Sequence, residues 1–177
     1  VGGGYWRDVG TVSAYWRAHM ELLEGVPGFR LNDPDWPIQA IATTSDTGVV
    51  LTGAAGRSSR VERSLLASGC ALDNATLDRC VLFEGVTVAA KTHLRQAVVL
   101  PNAVIGRGCR LSNVIVEAGA QVPDGTVVLP KPRRGGSQTP TLITAEPDFS
   151  SEYVKRIPQH HELSPYAASD LEQRTGT

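Results

Sequence analysis

Lys131, Arg133 and Arg134 form the densest cluster of cations in the chain. Arginine's planar fork grips phosphate through paired hydrogen bonds, so a phosphorylated ligand is the chemistry this cluster suits, with a solvated loop as its plain alternative. Asp8, two residues before Gly10, is placed to hydrogen-bond the backbone of the turn there. His93 is the histidine to weigh as a general base. It lies directly before an apolar residue, Leu94, and is therefore expected to face outward. Cys70, Cys80 and Cys109 contain no Cys-x-x-Cys pair, so their spacing gives no metal-ligand set, and an odd count does not build a disulfide framework.

The chain that must position these groups has 177 residues, 17 Lys plus Arg against 18 Asp plus Glu, a net charge of -1 and a pI near 6.5. Such a balance offers no broad basic surface to nucleic acid or to an anionic membrane. No apolar run reaches the length of a membrane span. A soluble protein of a reducing compartment, a cytoplasm, is the expectation, with one domain and appendages. The first residue is Val1 and the one methionine is Met20, which reads as part of a longer protein.

Aromatic residues cluster before residue 40 and after residue 148, and between Val61 and Val128 only Phe83 interrupts a run rich in Val, Leu, Ala and Gly. That composition suits a core too narrow for large rings. Within it the aliphatic residues Val61, Leu66, Leu72, Leu77, Leu82, Val88, Leu94, Val99, Ile105, Leu111, Val116, Val122 and Val128 recur at steps of five or six. A helix needs steps of three and four and a simple strand steps of two, so neither accounts for the rhythm. A second regularity accompanies it. Two residues before each of these stations stands a small or compact side chain, from Ser59 and Ser64 through Cys70, Ala75 and Cys80 to Ala120 and Thr126.

Both patterns predict a mainly β chain, a parallel β-helix of hexapeptide units whose short strands form the walls of a triangular prism. The stations point inward, the compact residues fill the corners, and the steps of five are shortened corners. Gly56, Gly69, Gly85, Gly106, Gly108, Gly119 and Gly125, with Asn74, Asn102 and Asn113, are expected to supply the turns. Nearly four coils result, with the three cysteines as small core fillers. An ordinary β-sandwich is the alternative, but its strands are not spaced so evenly.

Ahead of the coils, Val12, Tyr15, Trp16, His19, Met20, Leu22 and Leu23 fall at helical spacing, with Thr11 to cap the start and Gly25 and Pro27 to stop the helix. Residues 1–25 are thus one unit, 26–60 a linker with a strand candidate at Val49 to Leu51, and 61–128 the β-helix. An exit segment over 129–149 carries a possible strand at Thr141 to Thr144. Residues 150–177 are polar and aperiodic, and a flexible tail is expected.

Tyr5-Trp6-Arg7-Asp8-Val9-Gly10-Thr11, followed by Ala14-Tyr15-Trp16 and Met20, resembles the bacterial ADP-glucose pyrophosphorylases. The resemblance continues through Asp35-Trp36-Pro37-Ile38, Ser68-Gly69-Cys70, Val81-Leu82-Phe83, Ile105-Gly106 and Pro123-Asp124-Gly125, covering roughly residues 4–145. It implies a left-handed β-helix preceded by the last strand and helix of an α/β nucleotidyltransferase domain, residues 1–25. It also implies an enzyme that makes ADP-glucose and pyrophosphate from ATP and glucose 1-phosphate for glycogen (α-glucan) synthesis. The Gly-rich nucleotide loop of that family is missing here, so this portion alone is expected to be inactive and to serve oligomerisation, as a tetramer, and allosteric regulation.

By the same resemblance Asp8 is a catalytic ligand of Mg²⁺ together with a carboxylate from outside this chain, and Trp6 lies near the sugar pocket, with plain packing as its alternative. Lys131, Arg133 and Arg134 fall where the family places arginines near its site for phosphorylated effectors. Two other readings belong to different classes: a hexapeptide acyltransferase using His93, and a non-catalytic oligomerisation module. The acyltransferase reading leaves the motif from Tyr5 to Thr11 unexplained.

Overall fold

The evenly spaced aliphatic residues become three vertical stacks inside a parallel β-solenoid of about four turns. The computed structural model describes residues 5–27, 50–52, 58–130, 139–145 and 154–156. In chain order the strands are β1 (Val50–Thr52), β2 (Arg60–Glu62), β3 (Leu65–Leu66), β4 (Ala71–Asp73), β5 (Thr76–Asp78), β6 (Val81–Leu82) and β7 (Thr87–Val88). They continue with β8 (His93–Val99), β9 (Val104–Ile105), β10 (Arg110–Val116), β11 (Gln121–Val122), β12 (Thr126–Val128), β13 (Thr141–Ile143) and β14 (Val154–Arg156). The helix α1 (Val12–Glu24) precedes them.

One wall stacks β1, β4, β7, β9 and β11. The second stacks β2, β5, the first halves of β8 and β10, and β12; the third stacks β3, β6, the second halves of β8 and β10, and β13. Pairing between coils is parallel throughout. Thr76 pairs with His93, His93 with Arg110 and Arg110 with Val127, a coil of 17 residues, whereas Arg60 pairs with Thr76, Leu65 with Val81 and Ala71 with Thr87, a coil of 16; both are shorter than three full hexapeptides.

One residue is removed at the same corner of every coil, and the 16-residue coil loses a second between Leu72 and Leu77, where Asn74 (φ 45°) turns from the first wall to the second. The steps of five between Val61 and Leu66, Leu77 and Leu82, Leu94 and Val99, and Leu111 and Val116 all turn from the second wall to the third. Each is made by one left-handed residue: Arg63 (φ 45°), Arg79 (φ 56°), Gln96 (φ 51°) and Asn113 (φ 58°). The other two corners carry Gly69, Gly85, Asn102 and Gly119, and Asn74, Lys91, Gly108 and Gly125. Every one of these residues stands three before a station. The chain therefore turns left-handed, places a compact side chain in the crowded corner, and delivers the station two residues later. Arg63, Arg79, Lys91 and Gln96 are not legible as turns, since their residue types carry a strain that only the surrounding coils hold in place.

Gly106, expected among the turn residues, is not left-handed. Its place has another cause: a Cβ there would lie 2.6 Å from the Asp124 nitrogen and 2.7 Å from the Val122 carbonyl oxygen, so only glycine lets the next coil approach. Gly56 lies outside the described residues.

From Leu72 to Val128 every station is buried, and so is every compact residue from Cys70 to Thr126. Val61 and Leu66, in the first coil, are partly buried. Where the compact residue bears a hydroxyl it also satisfies backbone: Ser59, Ser64 and Thr92 accept from the amides of Ala75, Cys80 and Cys109, each the compact residue one coil on. Removing one buried Leu side chain from such a core costs about 2–5 kcal/mol.

The outer face of the third wall is apolar. Leu65, Val81, Val98, Ile115 and Leu142 form one in-register row on it. Helix α1 covers the middle, burying Trp16 and Met20 against Val98 and Ile115, with Tyr15, Leu23, Phe83 and Leu100 around them. Thr11 caps the helix by accepting from the Ala14 amide at 3.1 Å, and Gly25 ends it at φ 83°.

The strand candidates at Val49 to Leu51 and Thr141 to Thr144 are realised as β1 and β13. Within the tail the described residues are Val154–Arg156. Val154–Arg156 pairs antiparallel with β12, because β12 ends the second wall and its outer edge is open to a further strand. The rest of the tail, and most of the linker over 26–60, lie outside the described residues.

Candidate functional site

The segment Tyr5 to Gly10 runs into the N-terminus of α1 without regular structure. Asp8 is exposed, and its Oδ1 accepts from the Gly10 amide at 2.9 Å, so the carboxylate does make the turn contact open to it. Oδ2 is not committed by that bond. Among the described residues no group of three or more His, Cys, Asp or Glu could hold a metal ion. The other carboxylate beside Asp8 is Glu21, which is already taken: Arg7 donates to both its oxygens, at 2.6 and 2.7 Å, and the Tyr5 hydroxyl donates to Oε2 at 3.2 Å. Those contacts raise the Arg7 pKa further, through the bond to Glu21 first. A divalent ion on Asp8 would need another carboxylate from elsewhere.

Trp6 is 85% exposed in this chain. It lines a hollow of about 500 Å³ with Tyr5, Arg7, Glu21 and Glu24. A second, smaller recess of about 140 Å³ lies beside Asp8, lined also by Arg7, Arg17 and Glu21. Arg7 and Glu21 border both. Nothing in the sequence marks out Glu21 or its pairing with Arg7; the two lie 14 positions apart, and only the packing of the segment along α1 brings them together.

Lys131, Arg133 and Arg134 lie outside the described residues. His93 is exposed, as its place before Leu94 predicts. Partial burial first, and then the charge of Arg110 in the adjacent strand, lowers its pKa. No carboxylate among the described residues is bonded to it. The three cysteines are free and buried, and burial pushes the Cys80 thiol up to about 12 and raises Cys70 and Cys109 as well. Protonated thiols at the corners are core fillers rather than nucleophiles.

Residues 47–134 match the family described as GlmU-like, C-terminal hexapeptide. The chain is 42% identical over 124 residues to glucose-1-phosphate adenylyltransferase of Rhodopseudomonas palustris (strain TIE-1), covering 70% of this chain and 30% of that protein. It is 37% identical over 124 residues to the enzyme of the same name from Bradyrhizobium diazoefficiens, with the same coverage. The corresponding protein of Thiobacillus denitrificans is 38% identical over 125 residues, 71% of this chain and 28% of that one. A solved structure of a putative acetyltransferase from Bacillus cereus matches at 13% identity with a TM-score of 0.19, covering 72% of this chain and 91% of that one. So low a score gives the acyltransferase reading no weight. The chain spans about 30% of the length of the curated relatives it matches. With the motif before α1, the hexapeptide solenoid and these relatives in agreement, the chain belongs to the glucose-1-phosphate adenylyltransferase family.

Proposed function

We propose that the chain is the C-terminal part of an enzyme that makes ADP-glucose and pyrophosphate from ATP and glucose 1-phosphate, for glycogen synthesis in the cytoplasm. The observation that carries this is the 42% identity over 124 residues to an enzyme so named. In that reaction a phosphate oxygen of glucose 1-phosphate attacks the α-phosphorus of ATP, and the bond to the β-phosphate breaks as pyrophosphate leaves. Mg²⁺, when bound, neutralises charge on the transferring and leaving groups. Asp8 would hold it through the oxygen not bonded to the Gly10 amide. Trp6, open on its hollow, borders the sugar side. The nucleotide loop and the second carboxylate come from the part of the enzyme outside this chain, so the chain alone is inactive.

The solenoid serves assembly, as a homotetramer, and regulation. Lys131, Arg133 and Arg134 take a phosphorylated metabolite as effector, because paired guanidinium bonds suit phosphate. The test is pyrophosphate release by the full-length protein from ATP and glucose 1-phosphate. Activity in the full-length protein and none in the 177-residue chain is expected. Replacing Arg133 and Arg134 by Ala should blunt activation by a sugar bisphosphate while unactivated turnover stays near wild type. A full-length protein without turnover would overturn the reading, and unaltered activation curves would return the cluster to a solvated loop.

A further inference from the structure

Glu21 is not part of the motif before α1, yet it is the side chain on which that motif rests. It receives both guanidinium bonds of Arg7, at 2.6 and 2.7 Å, and the Tyr5 hydroxyl at 3.2 Å. Arg7 stands between Trp6 and Asp8. The pair it makes with Glu21 borders the Trp6 hollow on one side and the Asp8 recess on the other. Holding Arg7 at two points fixes the backbone on which both flanking residues stand, which one hydrogen bond does not do. Three residues on, Glu24 pairs with Arg79 at a corner of the solenoid. The last turn of α1 thus grips the motif with one carboxylate and the solenoid with the next.

We infer that Glu21 is a positioning residue for the adenylyl transfer: through Arg7 and Tyr5 it sets Asp8 and Trp6 at a fixed separation, with the metal side and the sugar side divided by the Arg7–Glu21 pair. The inference rests on the function proposed above. Its physical basis is that a displacement of about 1 Å at a reacting centre can cost roughly 100-fold in rate. The pair is half exposed, with Arg7 at 53% and Glu21 at 30%, so its contribution to global stability is small. That separation of effects makes the role testable.

The experiment compares Glu21→Gln, Glu21→Asp and the exchanged pair Arg7→Glu with Glu21→Arg in the full-length protein. Glu62→Gln, in the remote ion pair with Arg60, serves as control. Amide hydrogen exchange over Tyr5 to Gly10 and steady-state kinetics are read together. In Glu21→Gln, exchange of that segment should rise about tenfold or more. Turnover should fall about 10- to 100-fold, with a higher Mg²⁺ requirement and an unchanged melting temperature. Glu21→Asp and the exchanged pair should recover part of the turnover, and Glu62→Gln should match wild type. Unchanged exchange in Glu21→Gln would overturn the inference whatever the enzyme does. So would raised exchange with wild-type turnover and Mg²⁺ dependence. Raised exchange in a wild-type background that makes no ADP-glucose would sink the proposed reaction and, with it, the catalytic meaning of the contact.

Discussion

Trp16 on α1 donates its indole N–H to the carbonyl oxygen of Gln96 at 2.9 Å, and Gln96 is one of the left-handed residues of the shortened corner. The same column of corner residues pairs Arg79 with Glu24 and lets the Asn113 side chain donate to the Thr139 carbonyl ahead of β13. Through the Gln96 carbonyl and the Arg79 and Asn113 side chains, this column is a line of attachment for what packs on the third wall.

Trp16 should therefore carry much of the contact between helix and solenoid. Trp16→Phe keeps most of the apolar burial and loses the hydrogen bond, for an expected cost of about 1 kcal/mol. Trp16→Ala also empties the site between Met20, Val98 and Ile115 and should cost about 3–5 kcal/mol. Urea unfolding of the chain reads both values. A Trp16→Ala variant as stable as wild type would mean that the helix does not contribute its packing energy.

The facing of the strands makes a second prediction between adjacent residues. Ile105 is fully buried, whereas Val104 is 41% exposed on the outer face of β9. Ile105→Thr puts a hydroxyl into the prism and should cost about 2–3 kcal/mol, while Val104→Thr should stay within about 0.5 kcal/mol. Equal losses of melting temperature would move the register by one residue.

What the chain order of residues reveals about this fold is the interior. The stations and compact residues are legible because a prism this narrow repeats the same demand at every corner, and hydrophobic spacing records it. The corner conformation is legible only where Gly or Asn fills it, as at Gly69 or Asn102. At Arg79 and Gln96 the surrounding coils impose it on residues that show no local preference. At the site, Asp8 and Trp6 stand out through their motif, but Glu21 does not. A carboxylate on a helix is ordinary until the segment 14 positions earlier is laid beside it.

His93 predicts a pH effect. Its folded pKa lies below the ordinary 6.5, through burial first and Arg110 second. The unfolded chain thus takes up the proton at a higher pH than the folded one. Stability from this group is present above about pH 6.5 and is lost as pH falls through the lower folded value. His93→Gln should make the melting temperature fall less between neutral pH and about pH 5, and Arg110→Gln should raise the His93 pKa followed by NMR. A His93 pKa above 6.5 in the wild-type chain would contradict this.

Asp8 is where the proposed chemistry can be tested most directly. Asp8→Asn preserves size, and its side-chain oxygen can still accept from the Gly10 amide, so a residue that only makes the turn tolerates the change. A metal ligand does not. The measurement is pyrophosphate release from ATP and glucose 1-phosphate by the full-length protein across a Mg²⁺ titration. We expect turnover to fall roughly 100-fold or more, a weakened apparent affinity for Mg²⁺ and a melting temperature near wild type. Full turnover in Asp8→Asn with an unshifted Mg²⁺ midpoint would contradict the proposed role, leaving Asp8 a turn residue in a chain related to these enzymes by descent alone.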